Sequence, residues 1–273
     1  MSNISLTASM RSNLLSLQNT QSLMDTTQER LSTGKKVNSA IDNPSSYYTA
    51  QSLNNRASDL SSLLDSMGQA IQTIKAADEG IEAITTFAQQ AKAVAQSALD
   101  SSDATERANY MKQFNAIRDQ IDGVAKDSGY KGVNLLSGGS LTVKFDETGD
   151  SNLAITGKDA TSAGLKVDKA DAWGTVDETG NNAIAASIKA VDAAISTLRS
   201  MASEFGNNYS IVQSREDFTE NLINVLTEGA DKLTLADMNE ESANMLALQT
   251  RQQLAINSLS LASQAAQSVL KLF

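Results

Sequence analysis

Two groups of carboxylates sit at helical spacing in this chain: Asp78, Glu79 and Glu82, then Asp100, Asp103 and Glu106. Carboxylates gathered on one helix face can share a proton or hold a divalent ion. Here they fall among polar residues of long helical patterns, the profile of a solvated face. The run Asp146-Glu147-Thr148-Gly149-Asp150-Ser151-Asn152 begins like a calcium loop. It lacks glycine at the sixth position and glutamate at the twelfth, where Gly157 stands, so it reads as a turn. Asn208-Tyr209-Ser210 matches a glycosylation triplet that many unmodified helices also carry. Trp173 reads as a core anchor, and the methionines at seam positions read as packing. Cysteine and histidine are both absent. That removes disulfides, thiolate and imidazole ligands, and the Ser-His and Cys-His nucleophile pairs together. With no nucleophile–base set left, the sequence predicts neither enzyme nor cofactor nor metal site.

The more telling spacing is apolar. At the front, Met10, Leu14, Leu17, Gln21, Met24, Gln28 and Leu31 follow one another in steps of four and three. At the back the same steps run through Met238, Glu241, Met245, Leu248, Gln252, Ala255, Leu259, Ala262, Ala266, Val269 and Phe273. Each set makes one stripe on a helix, the mark of a helix that docks on another helix. Neither segment contains anything to bury its own stripe, so both are read as self-assembly seams. The residues carrying that role are Met10, Leu14, Leu17, Met24, Leu31, Met245, Leu248, Ala255, Leu259, Ala262, Val269 and Phe273. A stripe this narrow does not offset the ordering entropy of some forty residues on its own. Both ends are therefore expected to be disordered in an isolated chain and helical in an assembly.

Composition agrees with long helices. Aromatics make up only 4% of the 273 residues, and a single proline, Pro44, leaves more than two hundred residues free of that breaker. Nothing approaches the roughly 20 apolar residues of a membrane span. Met1 to Leu17 lacks the basic stretch and apolar core of a secretory signal. The net charge of −10 speaks against phosphate-backbone binding, which needs a basic face. The charge is uneven: residues 1–43 hold four Lys/Arg against three Asp/Glu, and 234–273 hold two against three, so the acidity lies in the middle. Neutral ends can pack beside copies of themselves while an acidic middle faces water.

Between the seams the chain divides further. Asn43 and Pro44 suit a helix start, and Leu53, Ala57, Leu60, Leu64, Met67, Ile71 and Ile74 continue as a stripe that drifts to Ala77, Ile84, Ala91 and Ala98. A third helix follows Asp103 with Tyr110, Phe114, Ile117, Ile121 and Val124. Residues 129–183 hold nine of the fifteen glycines, and Leu141, Val143, Phe145, then Leu153, Ile155, alternate as in half-buried strands. Helix resumes at Ile184 and keeps its phase through Leu198, Phe205, Val212, Leu226 and Leu233. One helix over 45–100 would run roughly 80 Å, against a diameter near ~50 Å for a globule of this length. The expected fold is mainly α: an elongated antiparallel helical bundle with terminal coiled-coil helices and a small β-hairpin region. Its segments are 1–43 (terminal core helix and linker), 44–139 (bundle helices), 140–183 (surface-exposed hairpin and loops, of which 140–182 should be replaceable by a short Gly/Ser connector without loss of polymerisation), 184–233 (bundle helix) and 234–273 (terminal core helix).

Three stretches carry a family resemblance. Leu31-Ser32-Thr33-Gly34-Lys35-Lys36-Val37-Asn38-Ser39-Ala40-Ile41-Asp42-Asn43 resembles the N-terminal signature of bacterial flagellins. Ala236-Asp237 through Gln264-Ala265-Ala266-Gln267-Ser268-Val269-Leu270-Lys271-Leu272-Phe273 resembles their C-terminus, and Gly129-Tyr130-Lys131-Gly132-Val133-Asn134-Leu135-Leu136-Ser137-Gly138 resembles the turn after their third helix. Pro44-Ser45-Ser46-Tyr47-Tyr48 replaces the usual Ala-Ala-Gly, as in short alphaproteobacterial flagellins, and Ala88-Gln89-Gln90-Ala91-Lys92-Ala93 stands where some flagellins carry an arginine-rich stretch read by immune receptors. The resemblance implies a structural subunit of the extracellular flagellar filament, exported unfolded by the flagellar type III apparatus. Its implied partners are other flagellin copies, an export chaperone acting on the C-terminus, and hook-junction and cap proteins, with no nucleic acid and no membrane insertion. Two other architectures share parts of the pattern. A hook–filament junction protein also has Asp-Asx-Pro after its first seam, and a chemoreceptor-type coiled coil shares the Ala/Ser/Gln-rich helices but not the glycine-rich middle.

Overall fold

A computed structural model describes residues 8–270. Five helices and one hairpin follow in order: α1 (Ala8–Thr33), α2 (Pro44–Asp100), α3 (Ala104–Asp127), β1 (Ser140–Lys144), β2 (Asn152–Thr156), α4 (Glu178–Thr234) and α5 (Met238–Leu270). The mainly α fold with a small antiparallel hairpin is the one expected. The helix starts are written in the sequence. Asn43 accepts the Ser46 amide through its side chain ahead of Pro44, Asp103 accepts the Thr105 amide, and Asp177 accepts the Gly180 amide. Asp237 accepts the Asn239 and Glu240 amides at the head of α5.

The chain forms two compact units. The larger, Arg56–Asn224, holds the main core. The inner face of α2 supplies Met67, Ile74, Ile81 and Ile84, then Ala88, Ala91, Ala95 and Ala98. Phe114, Ile121 and Ala125 of α3 and Ile184, Val191, Leu198, Phe205 and Val212 of α4 join the same cluster. Gly80 allows the turn after α3 to press on α2, since a Cβ there would meet Leu136 Cδ1 at 2.6 Å.

The hairpin pairs antiparallel from Ser140↔Thr156 to Lys144↔Asn152. One face carries Leu141, Val143, Leu153 and Ile155, and Val143 and Ile155 are buried in the helical core. The segment beyond it behaves likewise: Leu165, Val167, Ala170 and Trp173 are buried, and Trp173 packs on Phe114 with ring centroids 5.0 Å apart and planes inclined at 53°. A polar line on α3 fastens this segment. Asn115 clamps Ala170 through both its amide nitrogen (3.1 Å) and its amide oxygen (2.8 Å). The Arg118 Nε donates to Val167 O, and Asp122 accepts both the amide and the hydroxyl of Ser162. Residues 140–183 are thus more than a surface excursion in their packing, since Val143, Ile155, Leu165, Val167, Ala170 and Trp173 are part of the buried core. They cover the helices and complete their core, because the two strands and the loop turn their apolar side chains inward while only their polar sides face water.

Candidate assembly surface

The second unit comprises Met1–Asn55 and Val225–Phe273, and within it α1 and α5 pack against each other. Their direction follows from two polar rungs. Gln252 Nε2 donates to Gln21 Oε1 at 2.7 Å, and Arg30 NH1 pairs with Glu241 Oε1 at 3.0 Å, so the helices run antiparallel. At the base of the pair the two linkers are tied by backbone bonds. Lys36 and Val37 donate to Thr234 O, Ala236 donates to Gly34 O, and Lys35 bridges Leu235. Gly34 takes φ +71°, the left-handed value that ends α1 and that a side chain would resist.

On α5 the inward stripe is Glu241, Met245, Leu248, Gln252, Ala255, Leu259 and Ala262, all buried or half-buried. Met238, placed at the head of that stripe by spacing alone, is exposed. On α1 the inward residues are Met10, Leu17, Thr20, Met24, Thr27 and Leu31, with Leu14 at the edge, 36% exposed. Thr20 and Thr27 thus take places that spacing gave to Gln21 and Gln28. Gln21 stands half-buried beside them, and Gln28 is exposed. The Thr20 hydroxyl donates to Ser16 O, so its polarity is satisfied within the helix and the residue can be buried at 3% exposure. Val269 and Phe273 fall outside the residues whose side chains are described.

A second apolar face accompanies the seam, and heptad spacing does not separate it from the first. Leu246, Leu254 and Leu261 on α5 are 68%, 62% and 67% exposed. At about 100° per residue Leu254 and Leu261 lie within about 20° of each other and Leu246 about 80° from Leu254, so the three mark a broad face, centred roughly opposite the α1-facing seam. Leu15 and Leu23 of α1 are also exposed. Most of the exposed large apolar side chains among the described residues lie in this unit. The signal was available in the spacing of three leucines, but Ala247, Ala255 and Ile256 between them blur it into one broadly apolar helix.

The residues that suggested other chemistry are placed elsewhere. Asp78, Glu79 and Glu82 are exposed on α2, and Asp103 is the cap of α3. The would-be calcium loop is the hairpin tip, where Asp146 accepts the Thr148 hydroxyl and the Ser151 amide. That hydroxyl bond, foremost, holds the Asp146 carboxyl below the usual carboxylate range. Among the described residues no group of three His, Cys, Asp or Glu could hold a metal ion, and no helix is long and apolar enough to cross a membrane.

A helix pair finished on its inner face and unfinished on its outer one defines a structural subunit that associates with others. The comparisons agree. Residues 4–140 match the bacterial flagellin N-terminal helical region and residues 188–273 the bacterial flagellin C-terminal helical region. Flagellin FljK of Caulobacter vibrioides is 31% identical over 95% of this chain and 94% of its own length. A flagellin of Brucella melitensis is 27% identical over 95% of each chain. The crystal structure of Bacillus cereus flagellin is a more distant likeness, with 15% identity and a TM-score of 0.47 over 56% of this chain and 88% of that one, and the fold stands without it. The chain belongs to the bacterial flagellin family, and as such is a structural subunit of the flagellar filament that assembles with other flagellin copies.

Proposed function

We propose that the two faces of α5 divide the work of filament assembly. The inner face, Met245, Leu248, Ala255, Leu259 and Ala262, joins α1 through Met10, Leu17, Met24 and Leu31, with Leu14 at the rim. The outer face, Leu246, Leu254 and Leu261, joins neighbouring copies. The observation that carries this reading is the exposure of those three leucines opposite a seam already filled by α1. An exposed apolar face of this kind on a subunit that assembles with copies of itself marks an interaction surface. Val269 and Phe273 extend the inner stripe by spacing and are assigned to it.

On this reading the free chain holds residues 1–43 and 234–273 only loosely, and polymer contacts order them, because neither end offsets its ordering cost alone. The chain passes through the flagellar type III apparatus unfolded and works outside the cell. An export chaperone covers the C-terminal stripe beforehand, and hook-junction and cap proteins bound the polymer. The role is structural and not catalytic, in keeping with a chain that lacks histidine and cysteine. The bundle 44–139 and 184–233, with 140–183 laid over it, supplies the body of each subunit.

The test is seeded polymerisation of purified chain, read as sedimentable polymer. Leu254→Asp should abolish filaments with the far-UV spectrum of the unpolymerised chain unchanged, since position 254 faces water there. Normal filaments from that variant would refute the outer-face assignment.

A further inference from the structure

One side chain in the smaller unit is held in water by the structure around it. Ile41 is 93% exposed, more than any other large apolar residue among those described. It does not dangle. The Asp42 carboxylate accepts the amides of Asn38 (3.0 Å) and Ser39 (2.9 Å) and the Ser39 hydroxyl (3.2 Å) through one oxygen. The Ile41 amide donates to Ser39 Oγ, and Asp42 N closes the turn on Ser39 O. Below the turn, Val37 is buried and bonded to Thr234 O, while the Asn38 side chain reaches back to Thr33 Oγ1. Nothing in this network uses the Ile41 side chain. A polar residue would fold here equally well and would spare the cost of apolar surface in water.

We propose that Ile41 is an assembly knob, buried in the filament against a second copy of this chain. Three observations favour that occupant. The family is one whose chains assemble with copies of themselves. Ile41 belongs to the same unit as the open leucine face of α5 and is accompanied at its linker end by exposed Tyr48, Leu235 and Met238. The bonds that shape the turn all lie within residues 38–42, so it can keep its form while the terminal helices are only loosely held, and a contact made through it costs little further entropy. A knob seated in a different patch of the next copy makes a heterologous contact, the kind that extends into an open helix. Asp42 is the positioning residue and Ile41 the contact. The inference rests on the filament role given above.

The experiment measures the critical concentration for seeded polymerisation of full-length chain carrying Ile41→Ser, Ile41→Val, Asp42→Ala, or Ile41→Ser with Asp42→Ala. Loss of one buried isoleucine per subunit should raise the critical concentration about tenfold or more for Ile41→Ser. Ile41→Val should stay within a few-fold of wild type. Asp42→Ala should give a smaller rise, and the double variant should be no worse than Ile41→Ser, since a loosened turn has nothing left to present. The far-UV spectrum and thermal midpoint of unpolymerised chain should not move for either Ile41 variant. Ile41→Ser polymerising at the wild-type concentration would overturn the proposal. So would normal polymer from purified Ile41→Ser with loss of filaments only in cells, which would assign the knob to another protein. Failure of the wild-type chain itself to polymerise would instead overturn the reading beneath it.

Discussion

Arg30 and Glu241 lie 211 residues apart in the chain, yet their side chains meet at 3.0 Å between α1 and α5. Glu241 is only 7% exposed and occupies the first inward position of the α5 seam. A carboxylate there cannot be solvated freely, and Arg30 supplies both the counter-charge and the hydrogen bond. With the Gln21–Gln252 rung nine residues further along α1, it fixes which turn of one helix faces which turn of the other. A seam of alanines and leucines alone would slide more easily.

Arg30→Ala should therefore do more harm than removing both partners. The single variant leaves Glu241 half-solvated and should weaken α1–α5 pairing by about 1 kcal/mol, whereas Arg30→Ala with Glu241→Leu should recover most of it. Critical concentration for polymerisation across the double-mutant cycle measures this. A double variant as impaired as the sum of the two singles would remove the pair's role in register.

The larger unit can be tested apart from assembly. Phe114 is fully buried against Trp173, so Phe114→Ala should cost about 3–5 kcal/mol and lower the thermal midpoint accordingly. Trp173 is the only tryptophan, so its emission reports this core and nothing else. The emission change should coincide with loss of far-UV ellipticity from the large unit.

Replacing residues 140–182 by a short Gly/Ser connector should destabilise the chain. The replacement uncovers the α2, α3 and α4 surface on which Val143, Ile155, Leu165 and Trp173 now sit. The expected result is loss of a cooperative thermal transition and poor recovery of soluble protein. A connector variant melting at the wild-type midpoint would show that these side chains add nothing to the core.

Acid should loosen three turns together. Amides of Ser39 and Asn38 hold the Asp42 carboxyl below its ordinary range, the Thr148 hydroxyl does so for Asp146, and the Gly180 amide for Asp177. A carboxyl depressed in the folded state contributes stability that is complete above its unfolded value, near ~3.9, and is lost as pH falls through its folded value. The urea midpoint should then be flat from neutrality to about pH 4 and decline below it. Asp177→Asn should decline less. A midpoint that rises on acidification would contradict the assignment.

Much of this architecture is legible in the sequence, and the gaps have physical causes. The α5 seam follows from its strict spacing, and the starts of α2 and α3 follow from Asn43-Pro44 and Asp103. On α1 the heptad spacing points to Gln21 and Gln28, whereas the buried positions are Thr20 and Thr27: threonine looks polar in a sequence, yet the Thr20 hydroxyl is taken by a backbone carbonyl of its own helix. The hairpin strands alternate visibly, but residues 157–177 have no period at all. Their inward packing is tied by Asn115, Arg118 and Asp122, side chains on a helix 40 to 55 residues away, a relation that spacing cannot express. The outer leucines of α5 were hidden for the opposite reason: that helix is apolar enough on several sides to mask a second face.

The central claim is that α5 uses one face within the chain and the other between chains. A photo-crosslinking amino acid placed at position 252, on the inner face, or at position 254, on the outer face, separates the two directly. Illumination of filaments should give adducts between copies from position 254, and only an internal adduct to α1 from position 252. Between-copy adducts from 252 with none from 254 would contradict the account.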